Sequence, residues 1–139
     1  MAKAIRELMT ENPVCLDAST PIREAARKMR EKNIGDVVVE KAGKLCGIVT
    51  DRDIVVRAIA EGKDADTTNL QTICSSDISS VSPEQTDEDA IRLMRQKAIR
   101  RLPVVENGKV IGIVSLGDLA VEKDPRSVLG QVSAAAGNL

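Results

Sequence analysis

The 139-residue chain contains no phenylalanine, tyrosine, tryptophan or histidine. Without aromatic rings it cannot stack the bases of a single-stranded nucleic acid, and its net charge of −1 gives no strong field toward nucleic acid or an anionic membrane. The absence of histidine removes the commonest general base and the commonest metal ligand. The core must therefore be built from valine, isoleucine, leucine, methionine and alanine.

Long apolar runs and clustered cysteines are also absent. No segment approaches the ~20 apolar residues that a membrane-spanning helix needs, and the first residues lack the apolar stretch of a secretory signal. The three cysteines, Cys15, Cys46 and Cys74, are odd in number and widely spaced, which favours reduced thiols in a cytoplasmic protein over a disulfide framework. We expect Cys15 and Cys46 to be small strand residues facing the core, and we expect no metal centre.

The most informative feature that is present is an internal repeat. When the sequence is shifted by 65 positions, 13 of the 30 residues from 25 to 54 are identical to their counterparts from 90 to 119. Average residue usage gives about two such matches by chance. The register holds without a gap, so the chain carries two copies of one structural unit. Each copy is too small to bury a good core alone, so the two copies are expected to pack together.

Each copy is predicted to have the element order β-α-β-β-α. In the first copy, Thr20 and Pro21 are typical of the cap and first residue of an amphipathic helix, which Gly35 is expected to end. Two valine-rich strands then form a hairpin, and a second helix is predicted over residues 51–60. In the second copy, Asn107 and Gly108 predict the hairpin turn.

These signals give an α/β (α+β) fold with the first repeat at residues 5–62, a polar linker at 63–69 and the second repeat at 70–122. Residues 123–139 form a C-terminal tail. Several of its apolar residues have helical spacing, so the tail can dock on the module, dock on a second subunit or fray. These residues are Val128, Leu129, Val132 and Ala136.

One pattern follows both hairpins: a glycine, two aliphatic residues, a hydroxyl, two variable residues and an aspartate. It places a hydroxyl at a strand end and a carboxylate one helical turn later, beside the N–H groups of a helix N-terminus, which attract phosphate. A carboxylate there can accept hydrogen bonds from ribose hydroxyls, and a hydroxyl can bond a phosphate or sugar oxygen. The four residues are Thr50 and Asp53 in the first copy and Ser115 and Asp118 in the second.

A purely structural explanation competes with this hypothesis. The spacing from Thr50 to Asp53, and from Ser115 to Asp118, also matches a capping box, which serves only to start a helix. A single occurrence of the motif favours the cap. Its recurrence after two hairpins of a duplicated unit raises the weight of a functional role.

On these residues the chain resembles a tandem pair of CBS domains, also called a Bateman module, over roughly residues 5–122. The most specific stretches are residues 47–54, 112–119 and 102–105. Residues 112–116 also resemble the last repeat of the gamma subunit of AMP-activated protein kinase. In length, the chain is similar to small stand-alone bacterial and archaeal CBS-pair proteins, including the hypoxic response type.

The resemblance implies two repeats packed with pseudo-two-fold symmetry and two clefts that commonly take AMP, ADP, ATP or S-adenosylmethionine. It implies that Asp118 holds a ribose with Ser115 beside it, and that Arg100 and Arg101 contact phosphate. It also assigns ligand contacts to a further set of residues in the first copy. These are Thr20, Ile22 and Asp36 around the adenine, and Thr50, Arg52 and Asp53 in the second cleft.

The two clefts are expected to differ. The first copy has Gly35 and Asp36 where the second has Arg100 and Arg101. By the resemblance, the cleft that uses Asp118 therefore has basic residues nearby, while Asp36 adds negative charge to that same region. The resemblance also favours a homodimer, in which the apolar side of the helix at residues 54–59 can take part.

We therefore expect a regulatory module and not an enzyme. The chain has no histidine, P-loop or nucleophile elbow, and it needs no resident cofactor. The adenosyl ligand would act as a signal that a partner protein, still unidentified, responds to. The alternative is a ligand-free interaction or structural dimer with degenerate clefts. Neither hypothesis includes a nucleic-acid or membrane partner.

Overall fold

The computed structural model describes residues 2–74, 79–124 and 126–135 of the chain. The strands are β1 (Thr10–Glu11), β2 (Cys15–Asp17), β3 (Asp36–Lys41), β4 (Lys44–Thr50), β5 (Arg101–Glu106) and β6 (Lys109–Ser115). The helices are α1 (Ile5–Leu8), α2 (Ile22–Lys32), α3 (Asp51–Asp53), α4 (Leu70–Ile73), α5 (Asp87–Lys97), α6 (Leu116–Lys123) and α7 (Val128–Ala134). A π-helical segment, Ile54–Ile59, continues α3.

The chain divides into two compact units, each with a three-stranded sheet. The first-copy unit is Val14–Ile78, and its sheet has the order β2-β3-β4, with β2 parallel to β3 and β3 antiparallel to β4. The second-copy unit is Met1–Pro13 together with Ser79–Leu139, and its sheet has the order β1-β6-β5, with both pairs antiparallel. Mixed α/β structure is therefore present in both units, as predicted.

The segment that precedes the first copy belongs to the unit of the second. The N–H of Asp87 donates to the carbonyl of Lys3 at 2.9 Å, and the N–H of Ile5 donates to the carbonyl of Gln85 at 2.8 Å. Helix α1 buries Ile5 in the second-copy core, and β1 extends the sheet along β6. The N-terminal part of the predicted 5–62 repeat therefore lies outside the first-copy unit.

The same hydrogen bonds recur 65 positions along the chain, in the first-copy unit. The N–H of Ile22 donates to the carbonyl of Thr68 at 3.0 Å, and the N–H of Leu70 donates to the carbonyl of Thr20 at 2.9 Å. The two copies thus exchange their lead segments, by which we mean residues 2–13 and 66–74. The predicted linker, 63–69, is in part a docking segment, and α4 completes the first-copy core.

This exchange explains why the predicted start of α2 is wrong. The helix begins at Ile22, Pro21 occupies the N-cap position with an extended backbone, and no side chain caps the helix. The carbonyls of Thr68 and Ala65 accept the N–H groups of Ile22 and Arg23 at 3.0 Å instead. A cap supplied by a distant segment cannot be seen in the local sequence.

The predicted end of α2 is also wrong. The helix ends at Lys32, and Asn33 takes the left-handed conformation, with φ of 54°, that closes many helices. Gly35 lies two residues further on. Asparagine enters this region more readily than other non-glycine residues, so Asn33 can end the helix.

Both predicted hairpins are present, each with a two-residue turn in which both residues have positive φ. The values are 55° and 76° for Ala42 and Gly43, and 53° and 79° for Asn107 and Gly108. This conformation matches the right-handed twist of the flanking strands. The two hairpins therefore position β4 and β6, in which the two motifs begin, in the same way.

Among the residues of the second copy that the structure describes, the first strand of the predicted β-α-β-β-α order is absent. Only an isolated parallel bridge joins Val81 to Val104, where the first copy has the three-residue strand β2. Serines and a proline surround Val81, and such residues are poor strand formers.

The predicted helix at 51–60 is correct in position but not in type. After α3, the N–H of Ala60 donates to the carbonyl of Val55 at 2.9 Å, which is the wider π spacing. Three consecutive β-branched residues, Ile54, Val55 and Val56, crowd a normal α-turn. The second copy has Ala120 in the middle of the corresponding run, and α6 is a regular α-helix.

The tail forms α7, which packs on α6. A Cβ atom added to Gly130 would lie 2.5 Å from the carbonyl oxygen of Asp124 and 3.2 Å from that of Ala120, so only glycine allows this approach. Val128, Leu129 and Val132 remain largely exposed. Ala136, which belongs to the same predicted helical spacing, lies outside the described residues.

Candidate functional site

The two motifs begin their helices with complete capping boxes. The N–H of Thr50 donates to Oδ2 of Asp53 at 2.9 Å, and the N–H of Asp53 donates to Oγ1 of Thr50 at 3.1 Å. Ser115 and Asp118 make the same pair of bonds at 2.9 and 3.1 Å. The structural role weighed from the sequence is therefore real, and any ligand must use the atoms that it leaves over.

A third capping box, outside the two motifs, starts α5. The N–H of Thr86 donates to a carboxylate oxygen of Asp89 at 3.0 Å, and the N–H of Asp89 donates to Oγ1 of Thr86 at 3.3 Å. Hydrogen bonds to the carboxylate from the backbone N–H of Thr86 first, and then from the Thr86 side chain, hold the pKa of Asp89 below its usual value. Capping geometry alone therefore does not distinguish a ligand-binding carboxylate.

The surroundings of the two motif carboxylates differ. Oδ1 of Asp53 lies 3.7 Å from Nε of Arg57. The counterpart of Arg57 in the second copy is Glu122, which forms an ion pair with Lys3 at 2.9 Å. Within the described parts of the chain, no ion pair reaches the carboxylate of Asp118 and no hydrogen bond occupies its Oδ1. Asp118 is thus the better placed of the two to accept hydrogen bonds from a ligand.

The second-copy unit brings four of the predicted residues to one end of the β5–β6 hairpin. Arg101 lies directly opposite Ser115 in the antiparallel ladder. The carbonyl of Arg100 accepts the N–H of Leu116 at 2.8 Å, so Arg100 adjoins the first residue of α6. The backbones of Arg100 and Arg101 therefore adjoin the Ser115–Asp118 box, in a unit that holds both a carboxylate and cationic residues.

The first-copy unit has the opposite charge at the corresponding end. Asp36 lies opposite Thr50 in the ladder, and the carbonyl of Gly35 accepts the N–H of Asp51 at 3.0 Å. Arg52 is exposed on α3. This end holds more carboxylates than cations, so it is less suited to a phosphate than the second-copy end.

Two predicted adenine-bordering residues have structural roles in the first-copy unit. Ile22 is fully buried in the hydrophobic core of the first-copy unit, so its side chain serves packing. The carbonyl of Thr20 is already bonded to the N–H of Leu70 in the docked lead segment. Neither role was apparent from the helix-start pattern, because both depend on the exchange of lead segments.

Sequence reasoning missed a buried ion pair in the second-copy unit. Asp87 is 1% exposed, and its carboxylate lies 3.1 Å from Nζ of Lys123 and accepts the N–H of Glu88 at 2.8 Å. Burial alone would raise the pKa of Asp87, but Lys123 and the backbone N–H groups outweigh it and lower the pKa. At the corresponding positions the first copy has Ile22 and Ala58, both fully buried. Comparison of the two copies could therefore have indicated that Asp87 and Lys123 lie at core positions.

The three cysteines are half-buried. Burial, together with the negative charge of Glu40, raises the pKa of Cys15 to about 11. Cys46 packs against the first-copy core, as the sequence predicts. In the described residues, no three histidine, cysteine or acidic side chains are grouped so that they could hold a metal ion. Among the same residues there is no helix with the length and apolar character of a membrane span.

Comparisons with known proteins agree with this architecture. The sequence profile of the CBS domain matches residues 5–59 and again residues 70–123. Among curated proteins, the chain is 39% identical to the CBS domain-containing protein YhcV of Bacillus subtilis over 120 residues, which is 86% of this chain and 85% of YhcV.

Solved structures give the same result. Hypoxic response protein I of Mycobacterium tuberculosis, crystallised with two coordinated zinc ions, matches with a TM-score of 0.78 and 28% identity over 85% of this chain and 97% of that one. A hexameric CBS-CP12 protein from bloom-forming cyanobacteria matches with a TM-score of 0.80 and 32% identity over 90% and 74%. The α/β fold class is thereby confirmed, and the chain belongs to the CBS domain family as a CBS pair, a module of the regulatory or signal-transduction kind.

Proposed function

We propose that this CBS pair is a regulatory module that binds an adenosine-containing ligand and signals to a partner protein through a change in conformation. The ligands that we expect are AMP, ADP, ATP or S-adenosylmethionine, bound as a signal and not as a resident cofactor. The observation that carries the proposal is the group at the end of the β5–β6 hairpin. There Asp118 keeps one carboxylate oxygen for a ligand, and Ser115, Arg100 and Arg101 lie close by.

Each member of this group has a chemical role in the proposal. Oδ1 of Asp118 accepts hydrogen bonds from the ribose hydroxyls, while Oδ2 continues to cap the helix. The guanidinium groups of Arg100 and Arg101 offer the paired N–H donors that phosphate oxygens match. The N-terminus of α6 adds a partial positive charge on the same side. Since the chain has no aromatic residue, aliphatic side chains must contact the adenine.

Charge distinguishes the two motifs. The Asp53 motif has Arg57 against its carboxylate and Asp36 opposite Thr50, so its carboxylate is already paired and its surroundings are acidic. We therefore propose that a phosphate-bearing ligand uses the Asp118 group first. Thr50, Arg52 and Asp53 are the corresponding residues of a weaker second site.

The alternative function is an interaction or structural module that binds no nucleotide. The third capping box, at Thr86 and Asp89, favours it, because the same geometry occurs there outside either motif. Under this alternative, Asp53 and Asp118 serve only to start their helices.

Self-association is part of both proposals, and we propose a homodimer. The outer side of the π-helical segment leaves Val55 and Ile59 exposed by 59% and 58%. Exposed apolar side chains in a group are typical of a contact surface. Sedimentation of the wild-type chain and of the Val55→Asp and Ile59→Asp variants would test this, since a smaller assembly is expected for the variants.

Thermal unfolding with a panel of ligands distinguishes the two functions. The chain lacks tryptophan and tyrosine, so unfolding is followed by circular dichroism with AMP, ADP, ATP or S-adenosylmethionine at millimolar concentration. A ligand at 100 times its dissociation constant adds about 2.7 kcal/mol of stability. A clear rise in melting temperature with one ligand supports the regulatory proposal, and no shift with any of the four supports the alternative.

A further inference from the structure

Two thiols meet in the first-copy unit, away from the group at Asp118. Cys46 lies in β4, and Cys74 is the residue that follows α4. The two side chains are joined by a thiol–thiol hydrogen bond, and both pack against the first-copy core. Each is half-buried, so the pair is held in place by packing and can still be reached from solvent.

The internal repeat shows that Cys74 occupies a position whose counterpart, Met9, also lies against a strand. Met9 follows α1 as Cys74 follows α4, and each donates its N–H to the first residue of its helix at 2.9 Å. A Cβ atom added to Gly112 would lie 2.6 Å from Sδ of Met9, so the side chain at this position lies on the strand. At these positions the second-copy unit has Met9 and Ile111, which both pack against its core, and the first-copy unit has Cys74 and Cys46, which both pack against the core of that unit.

We propose that Cys46 and Cys74 are a reversible disulfide site, closed by a small-molecule disulfide such as oxidised glutathione. One protein thiolate attacks oxidised glutathione, which breaks its S–S bond and releases one glutathione thiolate. The second protein thiolate then attacks the protein sulfur of the mixed disulfide and releases the other glutathione. Two cysteine thiols are oxidised to one disulfide, and oxidised glutathione is reduced to two thiols.

The surroundings of the pair set its rate of reaction. Burial first, and then the neighbouring Cys46 and the charge of Asp53, raise the pKa of Cys74 to about 12, while Arg57 acts in the opposite direction. Since the thiolate is the reacting form, closure is slow at neutral pH and speeds up as the pH rises. The thiols thus lie next to the Arg57–Asp53 pair, and Arg57 also donates to the carbonyl of Ile73 at 3.4 Å.

The experiment uses the folded full-length chain with Cys15→Ser, which removes the third thiol. The protein is incubated with oxidised glutathione at pH 8, alkylated and digested with trypsin without reductant. We expect residues 45–52 to be linked to residues 64–92, with a mass two hydrogens below the sum of the two peptides. The closed form should melt several degrees higher than the reduced form, and dithiothreitol should reverse both changes.

Adding Cys46→Ser or Cys74→Ser to the Cys15→Ser chain gives the matched controls, and each should take up one glutathione without forming the linked peptides. Circular dichroism checks that each variant is folded. Unmodified thiols, glutathione on both cysteines, or disulfide-linked dimers of the Cys15→Ser chain would each overturn the proposal.

Discussion

Asp118 and Asp89 make the same capping bonds, but only Asp118 belongs to the proposed binding group. We expect Asp118→Ala and Asp89→Ala to lower the free energy of unfolding by similar amounts, on the order of 1 kcal/mol, since each removes one capping box. Only Asp118→Ala should abolish nucleotide binding. Denaturant unfolding and isothermal titration with the ligand found in the panel give the two quantities.

The comparison between these variants separates the two functions of the carboxylate. If Asp118→Ala keeps wild-type affinity while remaining folded, Asp118 has only its structural role. Equal loss of binding in both variants would mean that the affinity depends on stability in general.

Asp87 makes the stability of the chain depend on pH. Its folded pKa lies below the ordinary value of 3.8, so the buried ion pair with Lys123 adds stability above that value and loses it as the pH falls through the folded pKa. We expect Asp87→Asn to be less stable than wild type at pH 7, and the difference to shrink below pH 3.8. Melting temperatures measured from pH 7 to pH 3 test this.

A neighbouring surface pair provides the control. Glu122 and Lys3 are both partly exposed, so Glu122→Gln should change the stability little at any pH in this range. A difference between wild type and Asp87→Asn that stays constant down to pH 3 would contradict the prediction.

At this scale the sequence was informative about residue type and less so about environment. The strand-end hydroxyls and aspartates lie where the motif predicts, because hairpin and capping signals are local. Burial is not local: Asp87 has the pattern of an ordinary first-turn acid, yet it lies in the core beside Lys123. Ile22, predicted at the ligand, is a core residue for the same reason.

The hairpin turns offer a prediction at the scale of elements. Ala42 has φ of 55°, a strained value for alanine, and the corresponding residue of the other hairpin is Asn107, with φ of 53°. We expect Ala42→Asn to raise the free energy of unfolding by about 0.5–1 kcal/mol, because asparagine tolerates this conformation and alanine does not. Chemical denaturation measures the change.

The reciprocal variant is the control, since Asn107→Ala should lower the stability by a similar amount. The same pair of residue types occurs in the other order where α2 and α5 end, at Asn33 and Ala98, both with φ of 54°. Unchanged or lower stability of Ala42→Asn would show that the turn does not carry the strain that its backbone implies.

Most elements could be predicted from the sequence because their signals are contiguous. Valine-rich strands, the Asn107-Gly108 turn and the amphipathic helices all appear as expected. The π-helical segment did not, since periodicity alone cannot distinguish a five-residue hydrogen-bond spacing from a four-residue one. The start of α2 failed because its cap comes from Thr68 and Ala65, more than 40 positions away.

The exchanged lead segments lead to a prediction for the whole molecule. Ile5 and Leu70 occupy corresponding positions and are both fully buried, each in the unit dominated by the other copy. We expect Ile5→Ala and Leu70→Ala each to cost about 2–5 kcal/mol. Native-state hydrogen exchange followed by mass spectrometry should locate the loss of protection.

If the exchange is correct, each variant should lose hydrogen-exchange protection mainly in the unit in which the substituted residue is buried. Ile5→Ala should loosen peptides of residues 79–124, and Leu70→Ala should loosen peptides of residues 14–59. The opposite pattern, with each variant loosening the copy next to it in the sequence, would contradict the exchange.

The repeat itself was visible in the sequence, but the exchange was not. A shift of 65 positions gives identical residue matches whether each lead segment folds back on its own copy or crosses to the other. The hydrogen bonds of Lys3 with Asp87 and of Thr68 with Ile22 decide between these arrangements.

This crossing has an evolutionary consequence. A half-length ancestor with a single copy would carry a lead segment that fits its neighbour's sheet, so such chains would assemble by swapping arms. Tandem gene duplication would then join two such chains in one polypeptide and keep the exchanged contacts. Expression of residues 66–124 alone should accordingly yield arm-swapped pairs.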